Sequence, residues 1–182
     1  MLNSSLMFNQ YFNQLLALWT RPSNFYEKTV KKSDNKQASR FVALTSFLVA
    51  LELGLTQALT GGDLRIVAFV TLLLILFTPF ALWVWVHGWS WFIRVCGLLL
   101  GENFPMEKIR PIVAFSAGGW ITLGLGFGLG GLLSIVMVAF QALGFQKVLG
   151  YSKWNSAIYA GFPFSVMAVL VLIFTLLFKV FK

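Results

Sequence analysis

Residues Gly124–Gly131 read GLGFGLGG, which contains a literal G-x-G-x-x-G from Gly126 to Gly131. The fold class turns on whether this string cradles a phosphate. A dinucleotide-binding turn needs a strand before it, a helix after it and an acidic residue about twenty positions further on. No acidic residue follows Glu107 anywhere in the chain. A P-loop needs Lys and then Ser or Thr after its last glycine, and here Leu132 follows Gly131. No nucleotide or other cofactor is therefore expected. Two readings remain. Gly124, Gly126, Gly128, Gly130 and Gly131 form either a non-cytoplasmic hinge between two membrane helices or a small-residue packing surface. Glycine permits both, through positive φ and through close backbone approach.

Outward from the string, Pro111–Leu149 carries no charge before Lys147. Two crossings of about twenty residues each would use this run completely. On the N-terminal side lie two more apolar runs, Phe41–Leu59 and Ile66–Val86, joined by the turn Thr60–Asp63. Pro79 in the second is tolerable within a membrane helix, where neighbours satisfy the freed carbonyl. A last run, Tyr159–Phe181, gives one further crossing. The expected fold is all-α: a polytopic transmembrane helical bundle of about five spans with an N-terminal amphipathic helix. Residues 1–40 form an amphipathic and basic cytoplasmic segment, and 41–182 form the membrane domain.

Composition agrees with this class. Only 11% of residues are charged against 58% apolar, where a soluble domain carries about a quarter charged, and mean hydropathy is +0.81. The net charge of +8 sits at the edges of apolar runs, which fits orientation and lipid headgroups and gives no nucleic-acid surface. Cys96 and His87 are the sole cysteine and histidine, so no internal disulfide is possible and a metal site is not expected. The N-terminus lacks an early basic region, and its apolar run Leu15–Trp19 is short for a signal peptide.

Phe8, Phe12, Leu15, Leu16 and Trp19 recur at helical spacing. They predict a helix lying on the membrane surface or a partner, or one packed on its own bundle. Pro22 ends that pattern. The basic segment after it includes KKSDNKQAS (31–39), expected to be flexible. Trp83, Trp85, Trp89 and Trp91 surround His87 and read as an interfacial belt or, more sharply, as a ligand-stacking box. The apolar segment running on to Gly101 carries Arg94. It is either a protruding helix end or a helix lying in the interface. Residues 101–111 read as a polar connection.

The order of these segments carries a family resemblance. Trp19…Pro22…Phe25-Tyr26 precedes the spans; Arg94-Val95-Cys96-Gly97, Gly101-Glu102-Asn103-Phe104 and Ile112-Val113-Ala114-Phe115-Ser116 follow the second; Gly150-Tyr151-Ser152-Lys153-Trp154 and Pro163 accompany the last. Over residues 19–181 the chain resembles the Yip domain family of five-span membrane proteins, named for interaction with Ypt/Rab GTPases. The resemblance implies a non-enzymatic trafficking or membrane-organising role, with no catalytic residues to carry over. This chain has only Asp63-Leu64 where eukaryotic members carry a D-L-Y-G-P-like motif, which leaves Rab-type GTPase binding doubtful. Its short N-terminal region is similar to that of the prokaryotic members, implying a bacterial-type inner membrane.

Two pairs of residues are candidate sites. Glu52 lies mid-way along the first span, where an ionised carboxylate costs about 2.5–3.5 kcal/mol. Thr45, Thr56 and Thr60 share its helix face, so that face is expected to turn inward. Gln141 lies at similar depth and can hydrogen-bond it. Either Glu52 is a neutral acid that fixes helix register, or it is a proton, ion or headgroup site. His87 and Arg94 share a face if their helix is continuous, and either snorkel to the interface or contact lipid phosphate. No nucleophile–base–orienter set can be assembled. The expected function is that of a scaffold or partner-binding subunit, with lipids and a protein partner or second copy as its contacts. A transport role using Glu52 and the glycine hairpin is the alternative. Basic excess on the N-terminus and on alternate connections predicts a cytoplasmic N-terminus and an external C-terminus.

Overall fold

The structure, a computed structural model, describes residues 4–59, 61, 63–122 and 130–180. Among them the chain is helical throughout, with no strand. Helix α1 (Ser4–Thr20) stops before Pro22, which opens α2 (Pro22–Lys28). Proline cannot continue a helix, yet the first turn of the next has no use for its missing N–H. A 3₁₀ turn, Val30–Lys32, leads into α3 (Asn35–Leu59). The stretch 31–39, expected to be flexible, forms the end of the 3₁₀ turn and the start of α3; Asp34 Oδ1 accepts from Gln37 N at 2.7 Å and so satisfies one of the free amides that begin α3.

Helix α4 (Leu64–Leu99) starts the same way, with Asp63 Oδ1 accepting from Arg65 N at 2.8 Å. It runs unbroken for 36 residues through Pro79, about 54 Å of helix. A hydrocarbon core is about 30 Å thick, so the segment after His87 is the same helix prolonged and not a separate one. The polar connection that follows is shorter than expected, because α5 (Met106–Ser116) already begins at Met106 and carries Pro111 inside it. It passes into a 3₁₀ stretch, Ala117–Thr122. Helix α6 (Gly130–Val148) and helix α7 (Lys153–Val180) complete the chain.

Three helices are long and apolar enough to cross a membrane: α3, α4 and α7 over Lys153–Leu177. The apolar part of α6, Ile135–Val148, is shorter. The equal division of Pro111–Leu149 into two crossings is therefore not reproduced among the described residues. Its first part is short because α5 is spent on the core: Ile109, Ile112, Val113 and Phe115 are fully buried. Gly124, Gly126 and Gly128 lie outside the described residues, and Gly130 and Gly131 open α6.

The packed core sits at one end of the α3–α4 hairpin. There α1, α2, α5 and the second half of α6 gather around the start of α3 and the second half of α4. Leu18, Phe25, Phe41, Phe115 and Phe145 fill its centre, with Phe41 and Phe115 rings 4.7 Å apart. Lys147 of α6 pairs with Glu27 of α2 at 3.8 Å across the outside. The opposite ends are bare. Leu72, Leu76 and Phe80 of α4 and Leu170–Phe174 of α7 are exposed. Apolar surface on this scale marks contact with lipid or another protein.

Candidate functional site

Glu52 is half-buried on α3, and its carbonyl accepts from Thr56 Oγ1 at 2.8 Å. About two turns towards the N-terminus on the same face, Thr45 is fully buried and shares a 3.1 Å hydrogen bond with Tyr11 Oη of α1. The Thr45 face thus turns inward. Thr60 lies outside the described residues. Gln141 is fully buried, but its hydrogen bonds run elsewhere than to Glu52. Its Oε1 accepts from Trp89 Nε1 at 3.4 Å, and its Nε2 donates to Ser116 Oγ at 3.3 Å. Ser116 Oγ in turn donates to the Val113 carbonyl at 2.7 Å. One amide therefore links α4, α5 and α6, a use of buried polarity that fixes how helices register against one another.

His87 and Arg94 do lie on one continuous helix, but the cleft beside His87 is completed by a different arginine. His87 Nδ1 donates to the Trp83 carbonyl at 2.8 Å, and the two rings sit 4.3 Å apart. Across from them Arg110 of α5 and Asn35 and Ser39 of α3 line a cleft of about 40 Å³. Arg110 Nε is buried there with no hydrogen-bond partner. Arg94 is half-buried and lines no part of this cleft. The sequence held no signal that would join residue 110 to residue 87, because the pairing depends on where α5 crosses α4.

A wider and more polar opening, about 350 Å³, lies between α1 and the start of α3. Lys32, Lys36 and Arg40 line it beside Asp34, with Gln10 and Gln14 opposite. Tyr11 also lines it, and burial pushes its hydroxyl pKa up to about 12 despite the opposing bond to Thr45.

The most fully formed polar cluster involves Glu102, Tyr151 and Tyr159. Tyr151 Oη donates to Glu102 Oε2 at 2.8 Å and Tyr159 Oη to Oε1 at 3.1 Å. Both carboxylate oxygens are thus bound to phenols. Phe104, fully buried, packs on Phe145, Tyr151 and Tyr159 with ring separations of 5.2, 5.8 and 5.1 Å. Two glycines place the partners. Gly101 (φ +81°) ends α4 and Gly150 (φ +81°) ends α6, a conformation open to glycine at a helix C-terminus. Glu102 and Tyr151 are the residues immediately after them. Burial, then the bond to Glu102 and its charge, pushes the Tyr151 hydroxyl up to about 12. Both glycine-led segments stand out in the sequence, but nothing local pairs them. The available signal was their shared form, a glycine followed by a residue able to hydrogen-bond. Among the described residues no group of three His, Cys, Asp or Glu side chains is placed to hold a metal.

Comparison of the chain with known protein families, curated proteins and solved structures finds no match.

Proposed function

We propose that this chain is a non-enzymatic integral membrane protein of the Yip type, a scaffold or partner-binding subunit in membrane organisation. The reading places it in a bacterial-type inner membrane with about five spans. One observation carries it: the Glu102–Tyr151–Tyr159 cluster ties the α4–α5 connection to the α6–α7 connection. It turns the short helices into one rigid head on top of long apolar helices. A fixed surface of that kind suits docking, since a partner need not first order it. The apolar stripe Phe8, Phe12 and Leu16 of α1, exposed while Leu18 is buried in the head, suits a helix lying at the lipid surface. Purification in mild detergent followed by mass spectrometry tests the proposal, with a stoichiometric protein partner or a defined homo-oligomer as the expected result.

Glu52 favours a second reading, transport of a small solute, ion or lipid, because a half-buried carboxylate in a long apolar helix is expensive and usually functional. Substrate-dependent flux in liposomes containing the purified chain alone would favour transport over the scaffold.

A further inference from the structure

The scaffold reading leaves the His87–Arg110 cleft unexplained. A guanidinium cannot be deprotonated in a protein, and a buried N–H without an acceptor is costly enough that native structures ordinarily supply one. Arg110 Nε has none, and no residue lining the cleft is acidic. The groups around it suit an oxyanion. A carbonyl oxygen only accepts, so His87 Nδ1 carries the hydrogen of its bond to Trp83. Its Nε2 is then the ring's remaining polar atom, able to accept from a P–OH or, once protonated, to donate to a P–O⁻. Asn35 adds an amide and Ser39 a hydroxyl. The walls between are apolar: Val42, Val86 and Ala114. At about 40 Å³ the cleft is far too small for a nucleotide and confines its occupant to a small group at the guanidinium.

Trp83 stands at the cleft half-exposed, and Phe80 and Leu76 continue its helix face as an exposed apolar stripe. A charged cleft above such a stripe matches a phosphate with hydrocarbon chains attached. We propose that Arg110, with His87, Asn35 and Ser39, forms a phosphoryl-binding site. The headgroup of an anionic phospholipid fills it, or free phosphate through the same contacts. The lipid source rests on the membrane reading above; the phosphoryl chemistry rests on the cleft alone. Arg110 supplies the guanidinium fork that pairs with phosphate oxygens.

The test uses the purified full chain in detergent. Phosphatidylglycerol and phosphatidylcholine are added and retention is read by native mass spectrometry, with a parallel titration of inorganic phosphate read by thermal shift. The wild-type chain should retain phosphatidylglycerol preferentially. Arg110→Gln should weaken this about tenfold, the loss of one charge-assisted interaction, and Arg94→Gln should leave it unchanged. Saturable phosphate binding that displaces the lipid identifies a site reading phosphate alone. Lipid retention without phosphate binding identifies headgroup and chains together. Equal retention by wild type and Arg110→Gln overturns the site, as does an equal loss in Arg94→Gln. If Arg110→Gln does not fold, Arg110→Lys keeps the charge without the fork, and unchanged retention there overturns it too. Unchanged binding in variants that still fractionate with membranes refutes the site and spares the membrane reading. A chain recovered free of membranes refutes the membrane reading instead.

Discussion

Glu102 and Tyr151 meet at 2.8 Å across 49 residues of sequence, each placed directly after a left-handed glycine that ends a helix. This contact holds the α4–α5 connection on the α6–α7 connection, and Tyr159 takes the second carboxylate oxygen. Removing the acceptor leaves two phenols without a partner beside the buried ring of Phe104. Glu102→Ala, which removes the acceptor of both phenols, should therefore lower stability more than Tyr159→Phe, which leaves the Tyr151 bond in place. Both are measurable by reversible denaturation in detergent. Equal, negligible losses would show that the cluster contributes nothing to holding the head together.

The raised Tyr151 hydroxyl makes the same cluster sensitive to alkali. Its pKa rises from 10.0 to about 12 in the folded chain. The folded state therefore holds its proton where the unfolded state has lost it. The associated stability is complete below pH about 10 and is lost as pH climbs towards about 12. The thermal midpoint should fall across that window, and Tyr151→Phe should flatten part of the fall. A midpoint that falls equally in the variant would place the alkaline sensitivity elsewhere.

Glu52 lies on the face that also carries the buried Thr45. Glu52→Gln preserves volume and hydrogen-bonding capacity and should leave expression and thermal stability close to wild type. Glu52→Lys places a cation in the middle of a long apolar helix, at about 2.5–3.5 kcal/mol, and should reduce membrane-inserted yield several-fold. A cysteine at position 52, in a chain carrying Cys96→Ser, should resist labelling by a lipid-dissolved maleimide. Rapid labelling there would overturn the inward placement.

At Gly54 α3 lies close against α4. A Cβ at this position would lie 2.7 Å from Thr71 Cγ2. Thr71 is also committed to the Val67 carbonyl through a 2.7 Å hydrogen bond, so it cannot swing away freely. Gly54→Val should then separate the hairpin at a cost of about 1–3 kcal/mol, whereas Gly88→Ala, with open space around it, should cost far less. The comparison is read by urea midpoints, and similar midpoints for the two variants would refute tight packing at Gly54.

What was legible in the sequence followed from helical periodicity and local capping. The apolar runs of α3, α4 and α7, the turn at Asp63 and the break at Pro22 all depend on residues near one another in the chain. Spacing put Thr45 and Glu52 on one face of α3; Thr45 is buried there and Glu52 half-buried. The division of Pro111–Leu149 was not: an uncharged segment looks the same whether lipid or the chain's own core surrounds it, and α5 is buried by Phe41, Phe25 and Phe145. The partners of Gln141 and His87 were illegible for a related reason. Ser116 and Trp89 reach Gln141, and Arg110 reaches the cleft beside His87, only through helix crossings, and a crossing leaves no periodic trace.

Topology is the remaining prediction, and charge placement makes it specific. The first forty residues carry Arg21, Lys28, Lys31, Lys32, Lys36 and Arg40 against Glu27 and Asp34. Lys147 and Lys153 flank the α6–α7 connection with no acid in that stretch of the sequence, whereas Asp63 and Arg65 balance each other at the α3–α4 turn. The positive-inside rule then keeps the N-terminus and the α6–α7 connection cytoplasmic and sends the α3–α4 turn outside. Lys179 and Lys182 run against the rule at the external C-terminus, outweighed by the larger N-terminal excess. A C-terminal reporter active only in the cytoplasm should be silent after Lys182, and activity would require an even number of spans or the opposite orientation. That result alone does not separate five spans from the three formed by α3, α4 and α7, since both counts are odd. Position 126 does separate them. Five spans put it outside, three put it in the cytoplasm. Gly126→Cys in a Cys96→Ser chain should react with an impermeant maleimide added to intact cells. Labelling only after the membrane is opened would reduce the count to three.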